Sequence, residues 1–125
     1  MIRLDEKVFE RIVAEAIDAL PETFLKKLDN VAVVIEEEAT PEQLRENDIP
    51  PDSTLYGLYV GIAQTDRSEG YTFVLPDKIT VFRKPILEDC ATEAEVRAEV
   101  LHTVAHEIAH HFGISDERLE ELGKY

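Results

Sequence analysis

The feature that most constrains the fold is a long periodic segment running from Thr92 to Phe112. Apolar residues recur along it at every fourth position, which predicts a helix with one face in the core: Val96, Val100, Val104 and Ile108. Thr92, followed three residues later by Glu95, predicts a capping box at the start of this helix. Gly113 predicts its end, because glycine readily adopts the left-handed conformation that closes a helix.

Weaker patterns divide the first half of the chain into short elements. An apolar stripe predicts an amphipathic helix over the first 20 residues, and Pro21 separates it from a short helix over residues 22–28. A run of β-branched residues predicts a buried strand from Val31 to Ile35. Thr40, followed by Pro41, predicts the start of another helix.

The second half begins with strand patterns. We expect strands over residues 55–62, where apolar residues alternate with glycine, and over residues 78–83, with a shorter one over residues 71–75. Pro85 favours an edge position for the strand over residues 78–83. A last short helix is expected over residues 117–122. The sequence therefore predicts one α+β domain spanning residues 1–125.

Composition limits the classes of partner. The formal net charge is −14, from 27 acidic and 13 basic residues, which disfavours nucleic acid and anionic membranes as partners. The single cysteine, Cys90, rules out an intramolecular disulfide and is expected to be a small buried residue. The sequence shows no signal-peptide pattern and no apolar stretch long enough to span a bilayer, so we expect a cytoplasmic protein.

The long helix contains the motif His-Glu-x-x-His, formed by His106, Glu107 and His110. Residues four apart on a helix lie about 40° apart, so the two imidazoles can bind one zinc ion. Glu107 lies beside this pair, where a carboxylate can take a proton from a metal-activated water. The pattern predicts metal-dependent hydrolysis, with Glu107 as the general base.

Asp116 is the predicted third ligand of the zinc ion. Gly113 allows the chain to turn back after the helix, and a carboxylate oxygen is an acceptable zinc ligand. Asp116 is equally suited to cap the helix over residues 117–122, in which case Glu117 or Glu120 would supply the carboxylate. His102, His111 and Glu99 are expected to support a ligand or to be solvated.

The longer run from Thr103 to Asp116 resembles small bacterial zincin-like metallopeptidases, and its His-Glu-x-x-His-x-x-Gly-x-x-Asp pattern is similar to the extended metzincin signature. Residues 58–61 and 74–82 are also similar to segments that precede the motif in those proteins. The resemblance implies a minimal zincin fold, in which a short mixed sheet with an antiparallel edge strand packs on the active-site helix.

The same resemblance implies that an edge strand above the cleft pairs with an extended peptide, and the strand from Ile79 to Arg83 is the candidate. The oxyanion-stabilising residue stays open among four side chains: Tyr56, Tyr59, Tyr125 and His111. Metzincins carry a methionine beneath the metal, whereas the only methionine here is Met1.

The sequence thus predicts a zinc peptidase that acts on peptides or unstructured proteins. One alternative is a non-catalytic interaction module that descends from a peptidase and is stabilised by its metal. It is motivated by the few residues that follow Asp116, which predict an open cleft. A zinc-dependent nuclease is a further alternative, but Glu107 and the negative charge both argue against it.

Overall fold

The computed structural model describes residues 2–28, 31–61 and 77–111. These residues form the following elements in chain order: α1 (Glu6–Asp18), α2 (Glu22–Lys27), β1 (Val31–Glu36), α3 (Pro41–Glu46), β2 (Gly57–Val60), β3 (Asp77–Phe82), α4 (Arg83–Asp89) and α5 (Glu93–His111). The predicted strand over residues 71–75 and the predicted helix over residues 117–122 lie outside the described residues.

The three strands form one mixed sheet in the order β1-β3-β2. β1 runs parallel to β3, with Val33 opposite Ile79, and β2 runs antiparallel to β3, with Tyr59 opposite Ile79. This arrangement confirms the predicted α+β fold, a short mixed sheet with an antiparallel edge strand. That edge strand is β2, and it lies against α5.

The predicted edge position of residues 79–83 is wrong, because β3 is the central strand. Both of its edges are occupied, by β1 and β2, so it has none to offer a peptide. Four consecutive residues from Ile79 to Phe82 are buried, as expected for a strand covered on both faces. Pro85 wrongly indicated an edge strand because it does not belong to β3. It lies in the first turn of α4, where a missing N–H breaks no helical hydrogen bond.

The core lies between the sheet, α1 and α5. The predicted stripe of α5 is fully buried, with Val96, Val100, Val104 and Ile108 all 0% exposed. α1 contributes Phe9, Ile12, Val13 and Ala16 to the same cluster, which also includes Ile79 and Val81 of β3. This packing fixes one face of α5 against the sheet and leaves the opposite face for other contacts.

Helix capping follows the sequence closely at two places. Thr40 and Gln43 form a complete capping box at α3. At α5, the Thr92 hydroxyl accepts a hydrogen bond from the N–H of Glu95 at 3.1 Å, while the Glu95 carboxylate accepts one from the N–H of Ala91 at 3.0 Å. The predicted capping box is therefore present, except that the Glu95 carboxylate binds the N–H of Ala91 and not the N–H of Thr92. None of the helices in the described ranges is both long enough and apolar enough to cross a membrane.

Candidate functional site

α5 carries His106 and His110 on its more exposed side, and Glu107 lies next to them, where the helix meets β2. The ring centroids of His106 and His110 lie 4.0 Å apart with the ring planes at 58°. His106 is half-buried, whereas His110 is exposed. The predicted pair of imidazoles is therefore together on one side of the helix, at a spacing that allows both to reach one ion.

Glu107 lies at the contact between α5 and the edge strand. Its Oε1 accepts a hydrogen bond from the backbone N–H of Tyr59 in β2 at 2.9 Å. Burial raises the pKa of the Glu107 carboxyl, and this hydrogen bond and the nearby His110 act in the opposite direction. A carboxylate held in place with a raised pKa is a better proton acceptor than a solvated one, as a general base requires.

The close approach of β2 to α5 depends on Gly57. A Cβ at this position would lie 2.5 Å from Cγ2 of Thr103 and 3.7 Å from Cγ of Glu107. Real Cβ atoms do not come as close as the first distance. Glycine at position 57 thus allows the strand to lie near enough for the N–H of Tyr59 to reach Glu107.

A second group of polar side chains joins the end of α5 to the sheet. The Tyr59 hydroxyl donates to Oδ2 of Asp77 at 2.8 Å, and the His111 ring stacks on the Tyr59 ring at a centroid distance of 3.9 Å. Nε2 of His111 lies 3.8 Å from Oδ2 of the same aspartate. Burial, followed by the bond to Asp77, raises the pKa of Tyr59, so its hydroxyl is engaged rather than directed at a reacting group.

A groove of about 290 Å³ runs along the outward face of α5 beside β2. One wall is the segment over residues 54–57 and the other is the helix; it is lined by Thr54, Leu55, Tyr56, Gly57, Glu99, His102, Thr103, His106 and Glu107. The Tyr56 hydroxyl donates to Asp89, and this hydrogen bond is the main reason that the pKa of Tyr56 rises to about 12. Two of the motif residues, His106 and Glu107, therefore line this groove.

The third predicted ligand, Asp116, lies outside the described residues, as do Gly113, Glu117, Glu120 and Tyr125. Within residues 2–28, 31–61 and 77–111, no group of three or more potential ligand side chains is placed to hold a metal. The described part of the site thus presents two nitrogen donors. Their chemistry fits zinc, which binds imidazole nitrogen readily.

Sequence reasoning missed the contribution of β2 to the site. The N–H of Tyr59 is a backbone group, and no side-chain motif marks it. The available signal was the glycine at position 57 within a strand pattern, which indicates close approach of another element. The motif on α5 gave no indication of which strand would lie beside it.

Comparison with known proteins identifies one family. Residues 28–125 match the family model described as zincin-like metallopeptidase. The match covers most of the chain and includes the whole motif helix. No curated protein matches the sequence.

Proposed function

The chain belongs to the zincin-like metallopeptidase family, and on this premise we propose that it hydrolyses peptide bonds in exposed or unstructured polypeptides. His106, His110 and Asp116 hold one zinc ion, and Glu107 is the general base. One observation carries the proposal: two neighbouring imidazoles share a helix face with a half-buried carboxylate that a strand N–H holds in place.

The proposed ligand set has the composition of a catalytic zinc site. Two imidazoles and one carboxylate leave a coordination position open, as such sites require. When bound, the zinc ion supplies a Lewis acid that polarises a carbonyl group and lowers the pKa of water to about 7. Asp116 enters the set because it follows Gly113 by three residues.

Glu107 carries the proton-transfer part of the reaction. The N–H of Tyr59 binds Oε1, which leaves Oε2 as the oxygen that accepts the proton of the attacking water. Glu107 then delivers this proton to the leaving amine, which returns the carboxylate to its starting state. Burial raises the pKa of the carboxyl, which makes it a stronger proton acceptor in the first of these steps.

The shape of the site favours an extended substrate. A groove of about 290 Å³ that lies open between a chain segment and a helix favours an extended peptide over a folded domain. The formal charge of −14 disfavours RNA as a substrate, since a phosphate backbone is repelled by an acidic surface. Peptides without compact structure are therefore the proposed substrate class.

The test is hydrolysis of a quenched peptide mixture by the zinc-loaded protein. We expect turnover that stops with a chelator and falls by about 10²–10⁴ in Glu107→Gln, since general acid–base catalysis contributes about this much. Metal analysis should find zinc still bound in Glu107→Gln and lost in His110→Ala. Glu93→Gln is the control, because Glu93 is an exposed residue on the same helix, outside the groove.

One result would replace this proposal with the interaction module. If bound zinc raises the melting temperature, while no peptide is hydrolysed with any of several divalent metals, the metal has a structural role only. Glu107→Gln would then leave the function of the protein unchanged.

A further inference from the structure

The groove beside α5 extends past the motif residues towards the start of the helix, and a carboxylate lies in that part. Glu99 is half-buried and lines the groove together with His102, Thr103 and His106. Seven residues of an α-helix complete almost two turns and advance about 10 Å. Glu99 therefore lies on the same stripe as His106, about 10 Å along the helix axis.

The charge of Glu99 has no cationic partner in the described part of the chain. Its Oε2 accepts a hydrogen bond from the Thr103 hydroxyl at 3.2 Å, and no lysine or arginine forms an ion pair with it there. The Tyr56 hydroxyl on the opposite wall already donates to Asp89. Glu99 raises the pKa of Tyr56 through its charge, so the two side chains are close enough to interact.

The opposite wall has the character that a long basic side chain requires. Leu55 and the ring of Tyr56 line the groove, and both offer apolar surface. Lysine and arginine lay their methylene groups along apolar surface while the charged end binds a carboxylate. The part of the groove near Glu99 thus combines an apolar wall with a negative charge that no lysine or arginine of the described residues compensates.

We propose that this part of the groove binds a lysine or arginine side chain of the substrate and that Glu99 is the residue that selects it. The inference rests on the proposed peptidase function, because it assigns a substrate preference to the same cleft. An extended peptide advances about 3.3 Å per residue, so a distance of about 10 Å corresponds to about three residues. The selected basic residue therefore lies about three residues from the bond that is cut.

The experiment uses short quenched peptides that are identical except at one position, which carries lysine, norleucine or glutamate and is moved along the sequence. Norleucine keeps the methylene chain of lysine and lacks its charge. With zinc-loaded protein at low ionic strength, we expect kcat/KM to be about fivefold higher for lysine than for norleucine at one position, and glutamate to be worse than both. Added salt should reduce the difference.

Three variants identify the residue responsible. Glu99→Gln keeps an oxygen that can accept the Thr103 hydrogen bond but loses the charge, so the ratio of kcat/KM between lysine and norleucine peptides should fall to about one. Glu99→Lys should reverse the preference in favour of glutamate. Glu93→Gln changes the net charge by the same amount outside the groove and should retain the lysine preference.

Peptide binding to zinc-loaded Glu107→Gln, measured by fluorescence anisotropy, separates this proposal from the proposed function. If no peptide is hydrolysed, the peptidase proposal fails, and a lysine preference in binding that is lost in Glu99→Gln/Glu107→Gln still supports the role of Glu99. Equal binding of lysine and norleucine peptides at every position would overturn it. A lysine preference that survives Glu99→Gln would overturn it as well.

Discussion

The two faces of α5 differ in almost every physical property. One face carries Val96, Val100, Val104 and Ile108, which are 0% exposed and packed in a continuous core. The other carries Glu99, His102, His106 and His110, which are exposed or half-buried and line or adjoin an open groove. The first face holds the helix in place through dispersion and the hydrophobic effect. The second uses that fixed position to hold polar groups at set distances.

The difference shows where the rigidity of the site comes from. A catalytic carboxylate needs a fixed geometry, yet groups that remain partly solvated contribute little to stability. Here the packing of one face supplies the rigidity, and the N–H of Tyr59 holds the Glu107 carboxylate against the sheet. Changes on the core face should therefore alter stability, whereas changes on the groove face should alter function.

The largest expected effect on stability comes from Ile108→Ala. The substitution leaves a cavity in the core and should lower the free energy of unfolding by about 3 kcal/mol. The matched change on the opposite face, His102→Ala, should alter it by about 0.5 kcal/mol or less, because His102 is exposed. Urea denaturation measures the free energy of unfolding of both variants. Similar losses would show that the groove side of α5 contributes to stability as much as its core side does.

Gly57→Ala should have the next largest effect on the free energy of unfolding, because Gly57 lies where β2 contacts α5. The added Cβ would lie 2.5 Å from Cγ2 of Thr103, and the Thr103 side chain is stiff and hydrogen-bonded to Glu99. We expect a loss of about 2 kcal/mol, as for other overpacked sites. Chemical denaturation measures the loss.

Two further variants locate the cause of that loss. Thr103→Ser removes the clashing methyl group and keeps the hydroxyl, so Gly57→Ala combined with Thr103→Ser should regain much of the lost stability. Gly61→Ala is the control, because Gly61 directly follows β2 and a Cβ there would lie no closer than 3.3 Å to its nearest neighbour, Cε1 of His111. If Thr103→Ser restores nothing, the loss arises from the backbone and not from contact with α5.

The sequence was most informative where a single physical requirement fixed the pattern. The core stripe of α5 and its Thr92 cap follow from local periodicity and hydrogen bonding, and the structure confirms them. The strand predicted from Val31 to Ile35 is present as β1, but its residues are half-buried and not buried as predicted, because β1 is the outer strand beside β3. The family and the mixed sheet were predicted from the motif and its flanking segments, and both are confirmed.

The failures have a different physical origin. The central place of β3 depends on which strands pair with it, and pairing joins residues far apart in sequence, so Pro85 gave a wrong indication. α4 was not predicted because it follows β3 directly, without a polar turn to mark the boundary. The contact between Tyr59 and Glu107 involves a backbone N–H, which no residue type reveals. Asp116 stays a prediction.

Tyr56→Phe should produce a smaller, pH-dependent effect on the groove wall. The pKa of Tyr56 rises from 10.0 to about 12, mainly through the hydrogen bond to Asp89. Because the folded state holds the phenolic proton more tightly, the associated stabilisation is complete below pH 10 and is lost as the pH rises towards 12. Tyr56→Phe should cost about 1 kcal/mol at neutral pH and flatten this alkaline decline.

Denaturant unfolding at a series of alkaline pH values, together with the ultraviolet absorbance of tyrosinate, measures both parts of that prediction. Asp89→Asn is the control, because it keeps an acceptor for the hydroxyl and removes the negative charge. The tyrosinate transition near pH 12 should move to lower pH in Asp89→Asn. If the free energy of unfolding of Tyr56→Phe falls at alkaline pH as much as that of the unchanged protein, groups other than Tyr56 cause the fall.

The smallest expected effect is that of Glu99→Gln on the reactivity of Cys90, which tests whether solvent in the groove reaches the core. Cys90 is 6% exposed and belongs to the core cluster, yet the charge of Glu99 in the groove reaches its thiol. Burial first, and then the nearby carboxylates, raise the pKa of this thiol, so it stays protonated and unreactive at neutral pH.

Iodoacetamide should therefore label the native protein far more slowly than the urea-denatured protein, and Glu99→Gln should alter the native rate only slightly. Labelling of the native protein as fast as the denatured one would show that solvent reaches the core through the groove, and the two faces of α5 would then not be independent.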